Sequence, residues 1–89
     1  MTTLIVLITI LAPTGVPISG AWVEVEGMVR DQFYVEQVTD SRGRFAVEVE
    51  PGVHAVTVSR RLTYGADVLV SSQLNANADH TSFTFYTGG

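Results

Sequence analysis

The sequence predicts an all-β protein that folds as one small β-sandwich of about seven strands over residues 1–89. Apolar and polar residues alternate with a period of two through most of the chain, and no segment of helical length repeats every 3.6 residues. Glycine, proline, asparagine and aspartate interrupt this alternation at intervals of roughly 8–12 residues, which is typical of short strands joined by turns. We therefore expect strands at residues 3–12, 21–26, 32–39, 44–50, 53–59, 66–74 and 80–86.

The most regular stretch is TDSRGRFAVEVEPGVHAVTVS, residues 39–59. A polar glycine turn, a strict alternation, a Pro-Gly break and a second alternation predict a β-hairpin. The next segment, RRLTYG at 60–65, is predicted to be a loop, and the less regular strand at 32–39 has room for a β-bulge. The side chains expected to face the core are Phe45, Val47, Val49, His54, Val56, Val58, Phe83 and Phe85.

Composition limits what the domain does. The apolar fraction is 46% and the mean hydropathy is +0.28, which indicates a packed chain and, for so small a domain, apolar surface covered by another subunit. No cysteine is present, so there is no disulfide framework and no thiolate metal site. The formal net charge of −4 argues against binding to a nucleic-acid backbone.

The first segment, MTTLIVLITILA, allows two interpretations. Its β-branched residues favour a strand, which is the interpretation that we prefer. The alternative is a cleaved signal or a membrane-lying segment, although no Lys or Arg precedes the apolar run and the run is too short to span a bilayer.

Two longer stretches resemble a known family. APTGVPISGAWVEVEG followed by TDSRGRFAVEVEPGVHAVTVS is similar to the carboxypeptidase regulatory-like and Cna B-type domains. The resemblance implies a Greek-key sandwich of the transthyretin-like or Ig-like kind and says little about function. The matching residues are Gly15, Pro17, Ile18, Gly20, Ala21, Val23, Val25, Thr39, Asp40, Gly43, Phe45, Pro51, Gly52, Val56 and Val58. His54 departs from the pattern, because the family usually has a tyrosine there, and we interpret it as a structural histidine half-buried at a sheet edge.

The resemblance also brings chemistry that this chain lacks. Cna B-type domains often form an isopeptide bond from a lysine amine, and all five basic residues here are arginine. Hydroxyisourate hydrolases of the transthyretin fold use a histidine in the first strand, where this chain reads LITIL. We therefore predict no enzyme.

No metal or cofactor site is predicted either. His54 and His80 lack a clear third ligand, which makes them a weak zinc signal. Scattered turn aspartates do not form the run of oxygen ligands that a dedicated calcium site requires.

Three places are candidates for contact with a partner. The first strand is apolar on both faces, so we expect one face, that of Leu4, Val6, Ile8 and Ile10, or an edge of the strand to meet another subunit. The alternative is that a loop of the same chain covers the outer face of this strand. Trp22 shares an outward face with two glutamates, and outward aromatic residues are frequent at interfaces. Arg60, Arg61 and Tyr64 form the one basic-aromatic cluster of the sequence, although a solvated loop explains them equally well.

These observations favour a non-enzymatic structural or interaction module that works in a larger assembly. Its expected partners are protein subunits, as a homo-oligomer or a hetero-assembly, and neither nucleic acid nor membrane. A free-standing module with no signal or anchor would suit a phage virion, as a capsid decoration or tail-associated protein. The alternative is a secreted or cell-surface adhesive module that binds carbohydrate.

Overall fold

The structure is a computed structural model that describes residues 3–27 and 34–88. These residues form seven strands and no helix, as the alternation predicts. Residues 32 and 33, predicted to begin the third strand, lie outside the described residues. The strands are β1 (Leu4–Leu11), β2 (Trp22–Gly27), β3 (Tyr34–Val38), β4 (Arg44–Val49), β5 (Gly52–Leu62), β6 (Gly65–Ala76) and β7 (Ser82–Tyr86).

The strands make two small sheets, one in the order β4-β1-β7 and the other in the order β3-β2-β5-β6. β1 is the middle strand of the first sheet, antiparallel to β4 and parallel to β7. The first segment is therefore a strand within the folded body, which is the interpretation that the sequence favoured.

One core lies between the two sheets. Alternate residues of each strand point into it, because a period of two places every second side chain on the same face. Phe83 and Phe85 pack against this core as predicted, partly buried. Its buried members are Val6, Ile8, Ile10, Ala21, Val23, Val25, Phe45, Val47, Val49, Val56, Val58, Leu74 and Ala76.

The predicted hairpin at 39–59 is wrong. β4 pairs with β1, whereas β5 pairs with β2 and β6, so the Pro51-Gly52 connection carries the chain from one sheet to the other. Gly52 has a φ of +130°, which the change of direction requires and which residues with a side chain rarely adopt. Two strands that face one core from opposite sheets alternate just as two paired strands do, so periodicity does not distinguish the arrangements.

The predicted loop at 60–65 is also wrong. β5 and β6 pair without a break to Leu62 and Gly65, and the hairpin turns at Thr63 and Tyr64. Because β2 pairs with β5 only as far as Ser59, the tip of this hairpin extends beyond the sheet as a two-stranded ribbon.

The bulge occurs in a different strand from the one predicted. Pairing of β2 with β3 is regular over the described residues, and the register shifts instead where Val58 and Ser59 face Val70 and Val68 of β6. Leu69 is the extra residue, and its carbonyl accepts a hydrogen bond of 3.1 Å from the N–H of Gly88. Gly88 thus donates a hydrogen bond to the carbonyl of the bulge residue of the β5-β6 ladder.

The turn after β3 connects both sheets. The Thr39 hydroxyl accepts a hydrogen bond from the Ala21 N–H at 2.9 Å and donates to the Ile18 carbonyl at 2.7 Å. Asp40 accepts from the N–H groups of Arg42 and Arg44, at 2.8 and 3.0 Å. These contacts fix the turn from which β4 enters the first sheet.

Candidate partner interface

The first sheet exposes apolar side chains on the face away from the core. Ile5 is 70% exposed and Leu7 is 36% exposed, and Tyr86 of β7 on the same face is 57% exposed. The register places Leu7 beside Ala46 and Ser82, and Leu11 beside Tyr86. We call this surface the outer β1 face, and it comprises Ile5, Leu7, Thr9, Leu11, Arg44, Ala46, Glu48, Ser82, Thr84 and Tyr86.

A shallow depression lies at one end of the outer β1 face. It has a volume of about 290 Å³ and is lined by Ile5, Ala46, Val47 and Glu48. Ala46 leaves it open because its side chain is short between two longer neighbours on β4, Arg44 and Glu48. The lining of the depression thus consists of three apolar side chains and the carboxylate of Glu48.

The four residues that the sequence analysis selected on β1 lie on the other face. Val6, Ile8 and Ile10 are 0% exposed and Leu4 is half-buried against the core, so they are not available to a partner in the folded chain. Contact through an edge of β1 is likewise ruled out, because β4 and β7 occupy both of its edges. The predicted contact through these four residues is therefore wrong, and the candidate contact on β1 is the outer β1 face.

The sequence alone indicates in part which face of β1 points outward. Ile5, Leu7 and Leu11 are visible as the second apolar face of β1, but alternation alone does not say which of two apolar faces is inside. Ala46 and Glu48 alternate with the residues of β4 that were predicted to face the core, which assigns them to its outward face. Knowing that β1 pairs with β4 would have assigned Ile5 and Leu7 to the same outward face.

Trp22 lies on the outward face of the second sheet. It is half-buried, between Val38 of β3 and Ser59 of β5 in the register. Glu24 and Glu26 follow it on the same face of β2. Trp22 and the outer β1 face therefore belong to opposite sides of the molecule and do not form one surface.

The basic-aromatic cluster lies at the tip of the β5-β6 hairpin. Tyr64 is 95% exposed in the turn, and Arg60 is exposed in β5 opposite Asp67. The backbone of Arg61 continues β5 opposite Ala66, while its side chain lies outside the described residues. The tip is a second surface, on a projecting ribbon rather than on a flexible loop.

The two histidines have structural surroundings. His54 is 3% exposed in β5, an inner strand, and not half-buried at an edge as predicted. Its Nε2 lies 2.6 Å from the Glu50 carbonyl oxygen, and its Nδ1 is buried with no hydrogen-bond partner. His80 stacks on Phe83 with ring centroids 4.5 Å apart. Within residues 3–27 and 34–88, no three His, Cys, Asp or Glu side chains gather into a metal-binding group.

Among the described residues, Asp40 has a carboxyl group whose pKa is shifted by its surroundings. Hydrogen bonds from the backbone N–H groups of Arg44 and Arg42 hold the pKa of the Asp40 carboxyl below its usual value, with a smaller contribution from the two guanidinium charges. The carboxylate thus has a role in the turn, where it caps two backbone donors.

Comparison with known proteins shows a similar fold in a solved structure but no matching family. No protein-family model matches the sequence, and no curated protein matches it. The crystal structure of a 9R-lipoxygenase from Cyanothece PCC8801 is similar, with a TM-score of 0.60 and 18% sequence identity. The likeness covers 96% of this chain and 16% of the lipoxygenase chain, and at this identity it shows the fold alone.

The fold places the chain among the small all-β proteins built from two sheets. In the described part of the chain, no helix is long and apolar enough to cross a membrane.

Proposed function

We propose that this chain is a non-enzymatic interaction module that works by assembling with other protein subunits, as a component of a phage virion. In that setting it would be a capsid decoration or a tail-associated protein. The observation that carries the proposal is the outer β1 face, where Ile5 and Leu7 expose apolar surface from the middle of a sheet. A sandwich strand needs one apolar face for its own core, so the second apolar face of β1 is explained by a covering partner.

The proposal includes a fold of the carboxypeptidase regulatory-like or Cna B-type kind, with Greek-key, transthyretin-like connections. It is supported by what the matching residues do in the turn after β3. Thr39 bonds to Ala21 and Ile18, and Gly43 bonds to Ile10, so the residues that carry the resemblance hold the same corner together. Such modules act as accessory, adhesive and structural parts, in line with a role in assembly.

The polar residues best suited to chemistry are engaged in the fold. Thr39 and Asp40 bond to backbone groups, and His54 bonds through Nε2 to the Glu50 carbonyl. This use of their polar atoms favours a structural role over a catalytic one.

The test uses native material. Extracts or particles from the source that makes the chain are separated on a density gradient, and the chain is detected with an antibody. We expect it to sediment with a large particle, and a chain found only near 9.6 kDa or twice that mass would contradict the assembly role. Treatment with mild chaotrope should release it, since an apolar contact of limited area holds it.

One observation favours a second candidate, an adhesive module that binds carbohydrate at the cell surface or after secretion. Tyr64 is 95% exposed at the tip of a projecting hairpin, with Arg60 exposed in the strand behind it. An exposed aromatic ring stacks on sugars, and a guanidinium donates paired hydrogen bonds to their oxygens. A glycan array probed with the wild type and with the Arg60→Ala and Tyr64→Ala variants tests this candidate. We expect the wild type to bind a glycan and each variant to lose that binding.

A further inference from the structure

We propose that the outer β1 face binds the same face of a second copy of this chain, with β4 of one copy lying antiparallel across β4 of the other. This inference rests on the proposed function and names the partner that covers the apolar face.

The charges of the outer β1 face are arranged symmetrically about one row of side chains. In the register of β1 with β4, Leu7 lies beside Ala46 in a central row. The row on one side pairs Ile5 with Glu48, and the row on the other side pairs Thr9 with Arg44. An anion and a cation therefore stand at equal distances from the row of Leu7 and Ala46, on the same strand.

A twofold axis can pair these opposite charges between two copies of the chain. The axis lies between the facing first sheets of the two copies, runs perpendicular to the strands and passes over Leu7 and Ala46. It therefore reverses the strand direction from one copy to the other. It brings Arg44 of each copy against Glu48 of the other, so that two ion pairs flank the contact of Leu7 with its own counterpart. A twofold interface is self-complementary in this sense, because the same patch is used by both copies.

Charge complementarity selects this orientation over the other one. A twofold axis parallel to the strands would place β4 against β7, whose outward residues are Ser82, Thr84 and Tyr86. That arrangement leaves Arg44 opposite Thr84, which is uncharged. Complementary charges fix register and orientation between partners, and here they favour the antiparallel arrangement.

The size of the face sets the expected strength. Three strands and three to four rows of side chains give a projected area of roughly 300–400 Å². A stable interface of standard size buries about 800 Å² on each partner. The dimer is therefore weak in dilute solution and depends on a high local concentration, such as that between neighbouring subunits of an assembly.

Charge reversal tests the arrangement by sedimentation of the purified chain over a range of concentrations up to the millimolar. Arg44→Glu places two glutamates opposite each other at both positions, and Glu48→Arg places two arginines there. We expect each variant alone to need about tenfold higher concentration than the wild type for half-dimerisation. An equimolar mixture of the two variants restores opposite charges at both positions and should dimerise within about threefold of the wild-type concentration.

Two further variants keep the test decisive. Glu26→Arg makes the same charge change as Glu48→Arg on the exposed outer face of the other sheet, and should dimerise like the wild type. Leu7→Asp puts two carboxylates at the twofold axis and should abolish dimers. Because Leu7 lies outside the Asp40 turn, this variant tests the interface even if Arg44→Glu disturbs that turn. Circular dichroism during heating checks that each variant is folded.

The proposal is overturned if the wild type stays monomeric at millimolar concentration, if Glu26→Arg weakens the dimer as much as Glu48→Arg, or if the mixture behaves no better than its components. These outcomes leave the assembly role intact when native material still sediments as a particle. Conversely, a dimer that responds to the charges as expected, with no native particle, supports this inference and contradicts the assembly role.

Discussion

The backbone carbonyl oxygen of Ile10 lies 2.5 Å from the point that a Cβ atom on Gly43 would occupy. The two residues also share a hydrogen bond, since the Ile10 N–H donates to the Gly43 carbonyl at 2.7 Å. Gly43 has a φ of +72°, which residues other than glycine rarely adopt. The glycine of the D-x-x-G turn is thus required twice, by its own backbone conformation and by the close approach of β1.

Replacement of Gly43 by alanine should therefore be costly. We expect Gly43→Ala to lower the free energy of unfolding by about 2–4 kcal/mol, because strain in the left-handed region adds to a clash with backbone. Gly15→Ala is the matched control, since Gly15 has a φ of +89° and no heavy atom within 4 Å of its Cβ position. The control should lose only about 1 kcal/mol in urea denaturation, and equal losses would refute the role of the close approach.

Thr39 should be the polar side chain whose loss costs most. It is buried and bonds to the Ala21 N–H and the Ile18 carbonyl, and both backbone groups lose this partner in Thr39→Val. We expect a loss of about 2–4 kcal/mol in the free energy of unfolding, with most of it recovered in Thr39→Ser. Thr84→Val, on the outer face of β7, makes the same change and should shift stability by less than about 0.5 kcal/mol.

The Asp40 carboxylate should make stability depend on pH in the acid range. The pKa of this carboxyl is lower in the folded chain than in the unfolded one. The contribution of the carboxylate to the free energy of unfolding is therefore complete above the unfolded pKa of about 3.9, and it is lost as the pH falls through the folded pKa. The difference in unfolding free energy between the wild type and Asp40→Asn should therefore shrink as the pH is lowered from 6 through the unfolded pKa of the carboxyl. Asparagine keeps an acceptor oxygen, so the variant isolates the charge. A difference that grows on acidification would contradict the hydrogen bonds from Arg42 and Arg44.

Strand positions followed from the sequence, but strand partners did not. The alternation of Phe45, Val47 and Val49 identified β4 and its inward face, because that pattern depends on the chain alone. Whether β4 pairs with β5 or with β1 depends on contacts between distant segments. The Pro51-Gly52 break fits either a hairpin or a crossing between sheets, and for this reason the predicted hairpin was wrong.

The surfaces could be predicted only in part, for the same physical reason. Tyr64 was identified correctly as a residue of a connection, but the loop around it is the tip of a hairpin whose strands continue past the sheet. On β1 both faces are apolar, so the sequence indicated a contact without saying which face makes it. The partner strand β4 supplies that information, since its alternation is unambiguous.

His54 provides a test of the core that does not depend on stability. The Glu50 carbonyl is an acceptor, so the hydrogen bond at 2.6 Å requires the proton to be on Nε2 of His54. We expect long-range ¹H–¹⁵N spectra of the imidazole to show a proton on Nε2 of His54. His80, which is exposed, is the internal reference. A proton found on Nδ1 in place of Nε2 would mean that the ring is turned or that the contact with Glu50 is absent.

Leu7 and Ile8 are neighbours in β1 with opposite roles, and alanine at each position should separate folding from association. Ile8 is fully buried, so Ile8→Ala should cost about 2–5 kcal/mol of unfolding free energy through lost burial and a cavity. Leu7 points outward, so Leu7→Ala should cost less than about 1 kcal/mol while it weakens association of the chain. Urea denaturation at low protein concentration measures the first effect, and sedimentation at high concentration measures the second. Similar stability losses in the two variants would show that β1 is covered on both faces within one molecule, and the outer β1 face would then not be a surface for partners.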